Sequence, residues 1–512
     1  MVKRTGRQLR KKLNVDTDLI SKNFYRGFEG GRYRPLSNYD MEKIHKTALD
    51  ILWEVGMKNP LPILKSAALE KGCKISEKNR LCFPHSLVED VISRASKEMV
   101  LYGKESKHDI ELSGKKVSSY GAGEAVSVLD PGANTYRPSI LSDVYDIARV
   151  IDCLENINSF SRFVVPTEIT DLLAADVNTA YASLMGTSKH IALSFSSGEN
   201  VKHVLQMLDI IAGGEGQFIK RPFCHGGGCT VVSPLQYGTD NCEVAIECLA
   251  LNAPIWVVIA PQSGATAPAT LAGSLAQCIA ETLASLLLVE LLKPSHPVIF
   301  GPWPFVTDLR TGSFSGGGGE EALLAAASAQ MVNHYGLISS VGAGMTDAKL
   351  PDAQAGFEKG ISVTMAALAG CNGISEASGM LASLMGCSYE SLVIDNEMLG
   401  TVMRTVRGIE VNDTTLSLEV IKAAVFGEGH FLRSEQTLNS MKSEYSYPDL
   451  SDRKSQIEWQ EEGSLDIRKR AEIKVKKILH DHYPNYIDNK TDAKIRKMFP
   501  IMLDKARINR KA

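Results

Sequence analysis

Residues 254–303 read PIWVVIAPQSGATAPATLAGSLAQCIAETLASLLLVELLKPSHPVIFGPW. Two short runs, 255–261 and 297–303, flank a long alanine- and leucine-rich segment, 271–292. A short β-branched and aromatic run bounded by proline predicts a strand, and a long run of strong helix formers predicts a helix. Strand, helix and strand in that order predict a parallel pair joined by a crossover. The apolar segment is interrupted by Gln277, Glu281 and Glu290, so it reads as a buried helix rather than a membrane span.

The same unit recurs on both sides. Strand-like runs stand at 160–165, 190–196, 223–232, 338–344, 373–377 and 392–395, with helical patterns at 171–185, 201–211, 235–251, 320–334 and 352–368 between them. Seven or eight units in about 240 residues predict an α/β protein built as a (β/α)8 TIM barrel over 158–400 rather than an open sheet. Ahead of it, 35–157 reads as a helical and hairpin extension. There Met41, Ile44, Ala48, Ile51 and Leu52 recur at helical spacing, and the turn cluster 130–134 joins two short runs. The charged stretch 401–512 reads as a C-terminal helical cap, packed on the barrel or on a neighbouring subunit, and 1–34 as a basic tail or arm.

At 512 residues, with 44% hydrophobic and 22% charged content, the chain buries a large core. Its net charge of -3 gives no general basic field for nucleic acid or an anionic membrane. Lys3, Arg4, Arg7, Arg10, Lys11 and Lys12 crowd the first residues without the apolar core or cleavage site of a secretion signal, which fits a solvated tail or a subunit contact in a homo-oligomer. Ten cysteines without framework spacing fit reduced thiols in the cytoplasm.

In such a barrel the reacting groups stand at the carboxyl ends of the strands. The polar and aromatic residues falling there are His190, Phe195, Cys224, His225, Cys229, Gln262, Trp303, Phe305, Asp308, Arg310, Met345, Thr346, Asp347 and Glu376. Cys224, His225 and Cys229 are soft ligands, yet their spacing lacks a clean paired motif and alternate strand residues face opposite sides. Packed cysteines and a pocket-lining His225, with no metal bound, are the expectation. Gly316, Gly317 and Gly318 precede a helix that already carries Glu320 and Glu321, which disfavours a phosphate there. A low surface for a flat partner, or a close backbone approach, is the alternative.

The run Val341-Gly342-Ala343-Gly344-Met345-Thr346-Asp347-Ala348-Lys349-Leu350-Pro351-Asp352 and its continuation to Lys359 closely resembles the signature of the trimethylamine methyltransferase family. The likeness extends through Leu392 to Asn396, Arg407 to Ile409, Asn200, Ser233-Pro234 and Gly273. The resemblance implies a (β/α)8 barrel that moves a methyl group from an amine to the Co(I) of a separate corrinoid protein. In pyrrolysine-containing members that residue precedes the Ser/Thr-Asp-Ala-Lys segment; here Met345 stands at the matching position.

The departure has a chemical reading. A neutral tertiary amine must be activated before it leaves, whereas a quaternary ammonium already departs as a neutral amine. Methionine offers only apolar lining, so a quaternary donor is expected, held by aromatic faces such as Trp303, Phe305 and Phe195. Arg310, in an Asp308-Leu309-Arg310-Thr311-Gly312 segment similar to that of non-pyrrolysine glycine betaine methyltransferases, would take a substrate carboxylate. Glycine betaine is the first choice, with proline betaine, carnitine and γ-butyrobetaine as rivals. Met345, Asp347 and Glu376 are the expected reacting-site residues, although Asp347 also fits a loop-ordering role. Trimethylamine-type or zinc-dependent transfer, and a non-catalytic betaine-binding module, are the competing readings.

Overall fold

The computed structural model describes residues 27–121 and 123–508. The tail expected over the first residues lies mostly outside them. The architecture is mixed α/β, organised by a curled parallel sheet. Its first half runs β1 (Lys116–Ser119), α1 (Leu141–Asp152), β2 (Ser159–Ser161), α2 (Leu172–Gly186), β3 (His190–Ser194), α3 (Gly198–Ala212), β4 (Cys224–Gly228) and α4 (Thr239–Ala250). The second half runs β5 (Ile255–Ile259), α5 (Leu271–Leu292), β6 (Val298–Pro302), α6 (Gly319–His334), β7 (Ser340–Gly342), α7 (Ala353–Ala369), β8 (Gly373–Ser375) and α8 (Tyr389–Arg407).

Strands β2 to β6 form one five-stranded parallel sheet in chain order, and β7, β8 and β1 pair in parallel in a second. Single parallel bridges, Phe300 with Ser339 and Tyr120 with Ser159, link the two sheets at both seams. The helices pack outside. α5 is apolar on every side because it is enclosed on every side; it is the one described helix long and apolar enough to cross a membrane, and 89% of its apolar window is buried within the protein. An N-terminal helix, Asn38–Asp50, is started by a capping box between Ser37 and Asp40 and lays Met41, Ile44 and Ala48 against the core beside α5.

Two strand assignments change. Residues 392–395 belong to α8, whose start is capped by the Ser388 side chain on the Ser391 amide. Their apolar character reflects helix burial, which a short window does not separate from a buried strand. The missing strand is β1, which sequence pattern placed in the preceding hairpin. Its last residues, Ser118 and Ser119, and Tyr120 just beyond it are polar, and its partners in β8 lie more than 250 residues away. The hairpin itself exists nearby, with Ser127–Leu129 antiparallel to Tyr136–Pro138.

All ten cysteines stand as free thiols. Beyond α8, the short helices Asp413–Leu416, Leu418–Val425 and Glu435–Ser443 contain no described buried residue, whereas the later helix Ile467–Asp481 packs back on α8.

Candidate functional site

Alternation along the strands decides what faces the concave side of the curled sheet. Tyr120, Ser159, Ser161, Ala192, His225, Trp256, Ile299, Ser340 and Ser375 point inward. The intervening residues, such as Ile191, Leu193, Ile255 and Val257, face the helices and are buried there. Part of the lining is polar: Ser340 and Ser375 join hydroxyls at 2.8 Å. Also inside, His190 Nε2 and His225 Nδ1 share a hydrogen bond of 2.8 Å with their rings stacked at 5.1 Å. Burial favours the neutral form of both. It lowers the pKa of His190 to about 4, and burial together with the neighbouring His190 takes His225 well below its usual range.

From His225 a stair of rings climbs toward the carboxyl ends of the strands. Centroids are separated by 6.1 Å to Trp256, 5.4 Å to Trp303, 6.1 Å to Phe305 and 4.8 Å to Phe314. Trp303 Nε1 donates to the Ser340 carbonyl at 3.2 Å, which fixes the indole plane. Glycines make the space: a Cβ on Gly342 would fall 3.1 Å from the Trp303 ring, and one on Gly301 3.0 Å from the Trp256 Nε1. Phe305 and Phe314 belong to a hairpin, Phe305–Asp308 against Ser313–Ser315, that stands over the end of β6.

Met345, at the end of β7, is fully buried beneath this hairpin. A Cβ on Gly316 would lie 2.9 Å from the Met345 Cβ and 3.6 Å from the Phe314 ring, and one on Gly317 would collide with the Glu358 carboxylate. The bareness of Gly316 and Gly317 is therefore used internally. Gly318 caps α6 beside Glu320, and only Gly319 has nothing near it. Asp347 locks the assembly by accepting from Ser315 Oγ at 2.7 Å, the Gly316 amide at 2.8 Å and Ser383 Oγ at 2.6 Å. Burial works to raise its pKa, but these donors outweigh burial and hold the carboxyl below its ordinary value. Lys349 donates to the Asp347 backbone carbonyl, not to its carboxylate.

Two glutamates follow neighbouring strands in left-handed backbone conformations, Glu124 beyond β1 at φ 66° and Glu376 beyond β8 at φ 59°. Non-glycine residues held there store strain and concentrate at functional sites. Glu124 is anchored by Arg162 at 2.8 Å and by Ser194. Glu376 is 3% exposed and its Oε2 has no partner. Burial, reinforced by the charge of Glu124 and only partly offset by Lys359, raises its pKa to about 8. The Lys359 ammonium instead binds Asp395 at 2.6 Å, and Asp395 also accepts the Gly379 amide, which ties down the loop after Glu376. The rings and the backbone of Glu376 approach the chain at and just after β7, at positions two residues apart. A Cβ on Gly342 would touch Trp303 and Phe305, and one on Gly344 would fall 2.9 Å from the Glu376 carbonyl.

Of the residues expected from sequence, Trp303, Phe305, Met345, Asp347 and Glu376 thus gather at one mouth, with His225 deeper below. Phe195 does not join them. A Cβ on Gly226 would meet its ring and the Cys248 sulfur of α4, so Phe195 packs in the strand–helix layer, on the parity opposite to Ala192. Cys224, His225 and Cys229 do not converge: His225 faces His190, Cys224 feels Lys104, and Cys229 feels Glu124. Arg310 stands at the hairpin tip with its side chain 89% exposed and forms a two-point pair with Asp308, at 3.0 and 2.8 Å. Sequence reasoning missed Trp256, Phe314 and Glu124. The signal for Trp256 was its register opposite the inward-facing Ile299, which is legible only once strand pairing is known.

The family model for trimethylamine methyltransferase (MTTB) matches residues 3–500. A trimethylamine methyltransferase of Desulfitobacterium hafniense is 33% identical over 469 residues, covering 91% of this chain and 94% of that protein. One from Methanosarcina thermophila is 32% identical, covering 91% and 96%. The glycine betaine methyltransferase of Desulfitobacterium hafniense is 28% identical over 468 residues, covering 91% and 96%. Among solved structures, a dihydropteroate synthase from Xanthomonas albilineans is similar to 58% of this chain and 98% of its own, with 12% identity and a TM-score of 0.35.

Proposed function

Since the chain belongs to the trimethylamine methyltransferase family, and is a methyltransferase by that membership, we propose that it takes a methyl group from a small quaternary amine, a betaine first among them, and passes it to the Co(I) of a separate corrinoid protein. The scaffold is read as a closed (β/α)8 barrel, eight parallel strands each followed by a helix, working among reduced thiols in the cytoplasm. The carrying observation is the stair of rings Trp303, Phe305 and Phe314 at the carboxyl ends of the strands, with the buried, unpartnered Glu376 carboxyl at the end of β8 read as the charge of the same site.

A methylated ammonium has no hydrogen-bond donor, so only ring faces and negative charge recognise it. Trp303 and Phe305 supply the faces, and ionised Glu376 supplies the charge that a desolvated cation needs. The corrinoid, when presented by its own protein, supplies the nucleophile for the methyl carbon. The carbon–nitrogen bond pair stays on nitrogen, which leaves as a neutral tertiary amine, so no proton donor is required. An anionic nucleophile and a cationic donor lose charge as they react, and the apolar wall of Met345 favours that dispersal. Asp347 positions the wall by holding the hairpin. Arg310 is the proposed ligand of a substrate carboxylate. It stands at the hairpin tip beyond Phe305, and its role requires exchanging Asp308 for the substrate carboxylate. Gly318 and Gly319 are the part of the glycine run left at the surface for a corrin edge.

The decisive experiment mixes the protein with reduced cobalamin and a panel of methyl donors and follows methylation of the corrinoid by absorbance. Turnover of betaines or tetramethylammonium without trimethylamine is expected; turnover of trimethylamine alone sinks the proposal.

A further inference from the structure

Between α8 and residue 444 the chain makes a finger of three short helices in which no described residue is buried. Among its exposed residues are many large apolar ones. Ile409 is 84% exposed, Val411 71%, Val425 63%, Phe426 87% and Leu432 76%. Helices of 4, 8 and 9 residues do not hold themselves together in water. They need a packed face, and this chain gives them none. The finger is nevertheless closed at its base, where Arg404 binds Glu444 at 3.1 Å and Arg407 donates to the Ser443 carbonyl.

Its position narrows what covers it. In a parallel strand–helix ring each helix runs back against its strand, so the end of α8 lies at the amino ends of the strands. Gly408 accordingly abuts Arg32, just beyond the strand Phe28–Glu29 that pairs with the first residues of β1. The finger thus leaves the face opposite the mouth formed by Trp303, Met345 and Glu376. A methyl-accepting partner docked at that mouth cannot cover it, and such a partner must also depart after each transfer. Ten or so large apolar side chains, roughly 1,000 Å² per chain, match the apolar area of a permanent subunit contact rather than a transient one.

We infer that residues 409–443 form an exchange arm that packs against a second copy of this chain, arm and receiving surface being repeated on both copies. An isologous contact of this kind covers both arms at once.

Sedimentation of the full chain at micromolar concentration tests it, with Phe426→Glu/Leu432→Glu as the variant. The wild type is expected at two or more times the mass of one chain. The double variant is expected at the mass of one chain, with methyl transfer per chain unchanged. A wild type sedimenting as a single chain, or a double variant that keeps the wild-type mass, overturns the inference. Amide exchange on the wild type supplies a readout that needs no variant. Protection across 413–443 should be present at micromolar concentration and be lost on dilution; no protection, or protection only after a corrinoid-bearing protein is added, overturns it equally.

Discussion

Replacing Glu376 by glutamine separates recognition of a cation from mere packing of a buried acid. The carboxyl has a pKa of about 8, so its ionised fraction is about 1% at pH 6, about 10% at pH 7 and about 90% at pH 9. A cation that binds only the ionised form should gain affinity by about tenfold per pH unit up to pH 8 and level off above it. At an effective dielectric of about 20 and a separation of ~5 Å, the attraction is roughly 3 kcal/mol, a factor on the order of 100 in affinity. Calorimetric titration with tetramethylammonium, which carries no carboxylate and so does not involve Arg310, reads this directly. Wild type and Glu376→Gln should bind equally at pH 6, and the glutamine variant should stay flat while the wild type climbs. A wild-type affinity that does not change between pH 6 and 9, or a variant that climbs in parallel, refutes the assignment.

The same carboxyl leaves a mark on stability. Its folded pKa lies above the ordinary value, so its contribution is full below pH 4.5 and declines as pH rises through about 8, by up to about 5 kcal/mol. Melting curves should therefore show Glu376→Gln gaining on the wild type at pH 9 and not at pH 5; a constant difference rejects the shift. Arg310→Ala should raise the betaine concentration needed for half-maximal transfer by about tenfold or more while leaving tetramethylammonium untouched, and equal effects on both donors would dismiss its carboxylate role. Trp303→Leu should weaken tetramethylammonium by about 0.5–2 kcal/mol in the same titration, with unchanged affinity counting against the aromatic wall. Lys359→Met strands Asp395 in the core and should cost about 3–5 kcal/mol, most of it recovered in Lys359→Met/Asp395→Leu. A double variant no more stable than the single one would place the loss in packing rather than in unpaired charge.

Local pattern carried most of the architecture, because helix and strand periodicities are properties of neighbours in the chain. The segment 271–292 is a helix from Leu271 to Leu292, and seven of the expected strands begin within three residues of where they were read. The motif around Met345 likewise carried the family and the chemical argument for a pre-activated methyl. What the pattern lacked was pairing. β1 is a strand because β8 and β2 complete its hydrogen bonds, so its serines read as hairpin until distant residues are placed beside it. Residues 392–395 are apolar for the opposite reason, since they lie on a helix pressed against the core.

The site divides along the same line. Sequence alone named Trp303, Phe305, Met345, Asp347 and Glu376, because each stands at the carboxyl end of a strand-like run. Tertiary structure decided which of them face one another. Strand parity turned Phe195 outward and Trp256 inward, and packing spent Gly316 and Gly317 on Met345 and Glu358. It also set Glu124 close enough to Glu376 to raise its pKa. Burial and charge act through space, and for groups brought together from β1 and β8, 252 residues apart in the numbering of Glu124 and Glu376, no reading of the chain in order contains that proximity.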